Sequence, residues 1–340
     1  MTDRPRQRIG LWILAAALAA VLLYFSLRGV DWKRVWQIIS GAHWALLAAG
    51  CAIMSFSTFL RSLRWRVLLN AEGSLGVGTV FCATVAGYLG NNFLPARAGE
   101  LVRTVLISRR SSLSKTYVLT TALSERLMDV IALVLWSSLI LLGVNPKPRW
   151  MEDVSRTTAT VAAAGALAIA VLPHTGSLCQ SLLRRAPLPA ALRDRLLRLA
   201  DQVLLGMRAF HHLGRFLGFA AFTAVVWTCD ACTMMVFGFA LGLHLSFPVA
   251  MLLLTGLGLG SALPSTPGYV GIYQFVAVTV LPPFGISRDA ALAYILVGQA
   301  LGYLVILTLG LPTLYWLQGE SSLRRLWLAV RADEDAKAAP

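Results

Sequence analysis

The stretch NNFLPARAGELVR at 91–103 packs two amides, a Pro, a Gly, two arginines and a glutamate into a chain dominated by Leu, Ala and Val. Pro95 and Gly99 interrupt a helix, so one resuming near Gly99 begins with unpaired N–H groups and a positive dipole end. Arg97 falls at that break and Arg103 one turn into the new helix. Arginine forks beside a helix N-terminus suit a phosphate. Glu100, three residues before Arg103, is spaced to orient it by an ion pair.

SERLMD at 124–129 adds Glu125, Arg126 and Asp129. Glu125 and Asp129 are four apart and share a helix face, and Arg126 stands three before Asp129. One reading is a self-satisfied ion-pair cluster tying two helices together, which does not exclude ligand contact. Asp230 is a lone acid in an apolar run, placed either to carry a proton or counter-charge or to bond a neighbouring helix. A second interrupted segment, GLGLGSALPSTPGYVGIYQF, is rich in glycine and uncharged. Pro264, Ser265, Thr266, Gly268, Tyr269, Tyr273 and Gln274 supply its breaks and its hydrogen-bonding groups, and its glycines permit close helix packing.

The elements that must position these residues are membrane helices. Hydrophobic residues make up 57% of the chain and charged ones 14%, against roughly 25% charged in soluble domains. Apolar runs near 11–27, 44–60, 116–144, 157–172, 216–242 and 288–317 each approach the ~20 residues that span a bilayer as helix. No strand-like alternation is present. The first run is too long for a cleaved signal and is read as a retained span.

The net charge of +14 would suggest nucleic acid if the charges were scattered. Most of the Lys and Arg instead fall at 1–9, 61–72, 109–115, 173–215 and 318–340, alternating with poorer loops. That is the positive-inside pattern with both termini cytoplasmic in an inner (cytoplasmic) membrane, and nucleic acid is set aside. CDAC at 229–232 has no second pair and no nearby His, so its cysteines read as packing residues and no metal or cofactor is expected.

Segments 76–107 and 248–285 remain, each predicted to begin and end on one side as a re-entrant hairpin. LPARAG at 94–99 and LPSTPG at 263–268 share L-P-x-x-x-G at an offset of 169 residues. The same offset carries 44–66 and 115–143 onto later spans. The expected fold is therefore all-α and integral to the membrane. It has about six transmembrane helices plus two re-entrant hairpins, in an inverted repeat of units 44–143 and 213–312. These lie in a transmembrane domain of residues 1–320. Segment 178–212 reads as a cytoplasmic amphipathic helix or an inter-repeat linker, and 321–340 as a partly disordered cytoplasmic tail.

GYLGNNFLPARAGELVR, SERLMDVIAL and LPSTPGYVGIYQ resemble the three signature segments of the lysylphosphatidylglycerol synthase transmembrane family, over about residues 10–320. The resemblance implies translocation of a lipid with a polar headgroup between leaflets. It marks Asn91, Asn92, Pro95, Arg97, Gly99, Glu100, Arg103, Glu125, Arg126, Asp129, Pro264, Pro267, Gly268 and Tyr273 as matching positions. Bifunctional members of that family carry a soluble aminoacyl-transferase domain after the membrane region, whereas this chain stops about twenty residues beyond its last span.

The expected function is flipping of an anionic or headgroup-modified phospholipid or a polyprenyl-linked lipid. Arg97, Arg103, Arg126, Asn91 and Asn92 are expected to hold the headgroup, and Glu100, Glu125, Asp129 and Asp230 to act as ion-pair or gating residues. No Gly-rich nucleotide loop and no Cys–His or Ser–His arrangement is visible, so enzymatic activity is not expected. Two other readings stand beside it: a membrane-embedded transferase on lipid phosphates with Glu100 or Asp129 as base, and a non-transporting accessory subunit. The expected partners are the lipid and a lipid-synthesising enzyme, with monomer or homodimer left open.

Overall fold

A computed structural model describes residues 17–93, 99–143, 212–261 and 267–338, with scattered positions between 152 and 201; beyond Tyr315 only the backbone is described. The described residues are helical, without strands. In order they form α1 (Ala17–Leu27), α2 (Trp32–Ser40), α3 (Trp44–Leu69), α4 (Val77–Phe93), α5 (Gly99–Arg110) and α6 (Lys115–Gly143). After the partly described region come α7 (Leu213–Ala240), α8 (Phe247–Gly260), α9 (Ile272–Val280) and α10 (Arg288–Ala338).

Among the described residues, three helices are long and apolar enough to cross a membrane: α3, α7 and the Arg288–Tyr315 part of α10. α6 is as long, at 29 residues, but carries Glu125, Arg126 and Asp129. α1 is described over Ala17–Leu27 only, and the expected span at 157–172 and amphipathic segment at 178–212 fall mostly outside the described residues.

α3 and α7 pack antiparallel at the centre. The His43 N–H donates to the Ala240 carbonyl at 2.8 Å at one end, and Leu68 packs on Phe219 at the other. Gly50 lets Phe237 close in, since a Cβ there would lie 2.4 Å from its ring.

Two apolar clusters of matching construction occupy opposite ends of this pair. At the α3 C-terminal end, Trp65 and Leu69 meet Val80 of α4, Ile107 of α5 and Tyr117 of α6. At the α7 C-terminal end, Phe237 and Leu241 meet Val249 of α8, Ala277 of α9 and the start of α10 around Ala291. Each cluster gathers the start of one short helix and the end of the next, so α4–α5 and α8–α9 are hairpins with tips directed toward each other's end. α8 and α9, with 14 and 9 residues, reach about 21 and 14 Å at 1.5 Å per residue, short of a bilayer core of about 30 Å.

Backbone chemistry closes the hairpins. A Cβ on Gly90 would lie 2.7 Å from the Gly99 Cα, and Asn91 Oδ1 accepts the Gly99 N–H at 3.1 Å. In the second hairpin Gly256 and Gly260 admit Val276 and Ile272, the packing role expected of those glycines. The turn before α9 uses left-handed backbone at Gly268 (φ 71°), Tyr269 (φ 62°) and Gly271 (φ 90°).

One sequence expectation about the helices is corrected. Residues 61–69 are not loop: α3 continues to Leu69, with Arg61 and Arg64 turned inward into ion pairs with carboxylates of α6 and α7 rather than out to water. Between α1 and α3, α2 is capped by Asp31, whose carboxylate accepts the Lys33 N–H at 2.9 Å. α10 runs on as helix to Ala338; after Gly319 it has no Gly or Pro inside it and is rich in Leu, Arg and Ala.

Candidate functional site

A cavity of about 570 Å³ opens between the inner ends of α4, α5, α8 and α9. Its lining draws on both halves of the chain. α3 presents Ser57 and Arg61, α4 Tyr88, Asn91 and Asn92, α5 Glu100, and α6 Arg126 and Asp129. From the second half come Trp227 and Asp230 of α7, Gly268 and Tyr269 of the turn, Tyr273 of α9, and Tyr294, Gln299 and Tyr303 of α10. Among the described lining residues, charged groups of both signs cluster on the first half, with Asp230 alone from the second.

Behind the charged wall runs a chain of buried ion pairs. Arg64 grips Asp129 through two nitrogens at 2.6 and 2.9 Å and reaches Glu125 at 2.8 Å. Glu125 bonds Arg103 at 2.9 Å, Arg103 pairs with Glu100 at 2.5 Å, and Glu100 reaches Arg126 at 3.0 Å. Arg61 pairs separately with Asp230, which also accepts the Ser57 hydroxyl at 2.5 Å. Four arginines therefore face four carboxylates, and charges buried this way are tolerable only because each is matched. Aromatic rings back the guanidinium groups: Trp65 lies 4.5 Å from Arg103, Phe219 5.1 Å from Arg64 and Trp227 4.9 Å from Arg61.

Within that network only Arg126 is substantially open, with 39% of its side chain exposed. Its bond to Glu100 uses Nε, and among the described residues neither terminal nitrogen has a hydrogen-bond partner.

The opposite wall is held by amides. Gln299 donates to the Gly268 carbonyl at 2.5 Å and to the Tyr303 hydroxyl at 2.9 Å, and accepts from Gln274 at 2.6 Å. Gln274 Oε1 in turn accepts the Gly271 N–H at 2.7 Å. Tyr303 also donates to the Gly268 carbonyl at 2.6 Å, while Tyr269 and Tyr273 stack with centroids 5.0 Å apart.

Of the residues singled out from sequence, Asn91, Asn92, Glu100, Arg126, Asp129, Asp230, Gly268, Tyr269 and Tyr273 line the cavity. Arg103, Glu125 and Gln274 do not; they are buried just behind it, making the bonds above. Pro95, Arg97, Pro264, Ser265 and Thr266 lie outside the described residues. Sequence reasoning missed Arg61 and Arg64, which it placed in a basic loop, and Tyr88, Trp227, Gln299 and Tyr303. Gln299 and Tyr303 were visible as polar side chains four apart inside an apolar span. No group of three or more metal-ligating side chains occurs among the described residues.

The family described as the lysylphosphatidylglycerol synthase TM region matches residues 12–310. The chain belongs to this family. It is accordingly a multi-pass helical membrane protein, of a family named for a lipid-modifying synthase. Among curated proteins, Glycosyltransferase AglD of Haloferax volcanii is 26% identical over 325 residues, covering 82% of this chain and 50% of the relative. The chain spans about half the length of that relative, and no solved structure matches.

This relationship overturns the expectation of no enzymatic activity. That expectation rested on a missing nucleotide loop and missing nucleophile pairs, yet a relative aligned over most of the chain is named a glycosyltransferase. Carboxylates alone can serve as acid and base in group transfer, so the lack of those motifs does not exclude chemistry.

Proposed function

We propose that this protein moves a lipid with an anionic headgroup between leaflets, the headgroup passing through the cavity while the hydrocarbon chains stay in the bilayer. The observation that carries this reading is a cavity between two opposed hairpin tips with the exposed cation Arg126, and Arg61, on its wall. Half-helices entering from opposite sides to meet at a polar centre are how transporters build a midplane site. Arg103 becomes a positioning residue that fixes Glu100, and through it Arg126.

The inverted repeat supports the reading. At the offset of 169, α3 maps onto α7, α4 onto α8, α5 onto α9 and α6 onto α10, and the two end clusters use corresponding elements. Gly50 images to Phe219 and Leu68 to Phe237; the contacts Gly50–Phe237 and Leu68–Phe219 are therefore images of each other. A two-fold axis crossing α3 and α7 would generate that exchange. In this reading both hairpins are re-entrant, the α3 C-terminal end and both termini face the cytoplasm, and the protein sits in the cell membrane.

A second reading has one observation in its favour, the alignment with AglD. In it the same cavity holds a lipid phosphate for glycosyl transfer, with Glu100 or Asp129, both in the lining, taking up a proton. Mass spectrometry of lipids that stay bound after gentle purification tests what the two readings share: an anionic lipid should co-purify and be lost from Arg126→Ala. Retention of uncharged lipid alone would remove the headgroup site from both.

A further inference from the structure

We propose that the headgroup carries, beyond its phosphate, a neutral hydroxyl-bearing group, a sugar, held against the Tyr269–Tyr273 face of the cavity. This rests on the reading of the cavity as a lipid-headgroup site and specifies its substrate class.

The charge balance points away from an aminoacylated headgroup. An aminoacyl ester adds an ammonium, which needs a carboxylate to receive it. Each carboxylate in the described lining is already engaged: Glu100 by Arg103 and Arg126, Asp129 by Arg64, Asp230 by Arg61. The rest of the described polar lining, apart from the arginines paired with them, is neutral, and the cavity of about 570 Å³ is far larger than a phosphate fills.

The neutral wall has the chemistry that recognises a pyranose. Sugar rings lay their C–H faces on aromatic rings and satisfy their hydroxyls with amides and indoles. Tyr269 and Tyr273 are stacked 10° from parallel. Tyr269 is a non-glycine residue with left-handed backbone (φ 62°), a conformation that persists where surrounding structure enforces it; Gln299 and Tyr303 do so by clamping the Gly268 carbonyl. Asn91 spends its oxygen on the Gly99 N–H, which leaves its NH₂ to donate.

The test measures binding of short-chain probes to the full protein in nanodiscs by calorimetry: a ten-carbon prenyl phosphate, its hexosyl phosphate ester, and short-chain lysyl-phosphatidylglycerol. The hexosyl probe is expected to bind about tenfold more tightly than the bare phosphate, the worth of one or two net hydrogen bonds. The lysyl probe should bind no more tightly than the bare phosphate. Tyr269→Gly, which removes the ring while accepting the same backbone, should abolish the hexosyl gain and leave bare-phosphate affinity within about twofold. Tyr273→Leu should do the same from the neighbouring position. Equal affinity for the hexosyl and bare probes, or preference for the lysyl probe, overturns the sugar inference and leaves the phosphate site standing. Absence of binding by all three overturns both.

Discussion

Arg61 and Asp230 stand 169 positions apart, the offset between the two halves of the chain, and they meet as an ion pair between α3 and α7. Equivalent positions in two similar helices thus carry opposite charges that close on each other at the cavity wall. Both side chains are mostly buried, at 13% and 17% exposed, so removing one partner strands the other. A double-mutant cycle with Arg61→Met and Asp230→Asn should show a coupling of about 1–3 kcal/mol in detergent unfolding, below the 3–5 kcal/mol of a fully buried pair. Additive single effects would show that the pair does not join the halves.

Arg64 is the hub of the buried network and is fully enclosed. Arg64→Met leaves Glu125 and Asp129 without a shared cation and should cost about 3–5 kcal/mol of stability. Adding Glu125→Gln and Asp129→Asn should recover much of that loss, because the stranded charges, rather than a missing contact, cause it. Thermal unfolding of the single and triple variants compares the two.

Much of this was legible in the sequence, and the parts that were not have physical reasons. The Pro and Gly of LPARAG and LPSTPG mark where α4 gives way to α5 and α8 to α9, because breaks in apolar helix are local features. Glu100 and Arg103 pair as their spacing predicts. Glu125 and Asp129 share a face as expected, but the cation they share comes from α3. Hydropathy averaged over a window ended that helix at 60 and so read two buried arginines as a basic loop. Which arginine faces the cavity depends on three-dimensional pairing: Arg103 and Arg126 look alike in sequence, yet Arg103 is consumed by Glu100 and Glu125. The clamp of Gln299 and Tyr303 on Gly268 joins residues 31 and 35 positions apart, beyond any local pattern.

Gly99 tests the first hairpin. A Cβ there would lie 1.9 Å from the Gly87 carbonyl oxygen and 2.5 Å from Asn91 Oδ1, so Gly99→Ala cannot be absorbed by a rotamer change. Loss of monodisperse protein on size-exclusion chromatography is expected. Gly78→Ala, with nothing within 4 Å of the added methyl, should be neutral or stabilising by up to about 1 kcal/mol. Normal behaviour of both variants would mean that α4 and α5 do not approach as described.

Topology follows from the two end clusters. Ser112 lies in the short loop between α5 and α6 and Ser287 in that between α9 and α10, and both are exposed. In a cysteine-free background, Ser287→Cys should react with a membrane-impermeant maleimide on intact cells, and Ser112→Cys only after permeabilisation. The reverse pattern would invert the orientation; reaction of both from outside would end the opposed-hairpin arrangement.

Lipid movement in vesicles tests the central claim most directly. Purified protein is reconstituted into phosphatidylcholine vesicles containing a trace of NBD-tagged phosphatidylglycerol or NBD-tagged short-chain polyprenyl phosphate, and inner-leaflet probe is followed as it becomes accessible to dithionite. The wild-type protein should speed exchange of at least one probe over protein-free vesicles. Arg126→Ala should abolish that gain while its melting temperature stays near wild type, since Arg126 is the exposed end of the network. Arg103→Ala should instead lose stability, because it strips a buried cation from Glu100 and Glu125. Exchange of both probes no faster than in empty vesicles, or full activity in Arg126→Ala, would contradict headgroup passage through this cavity.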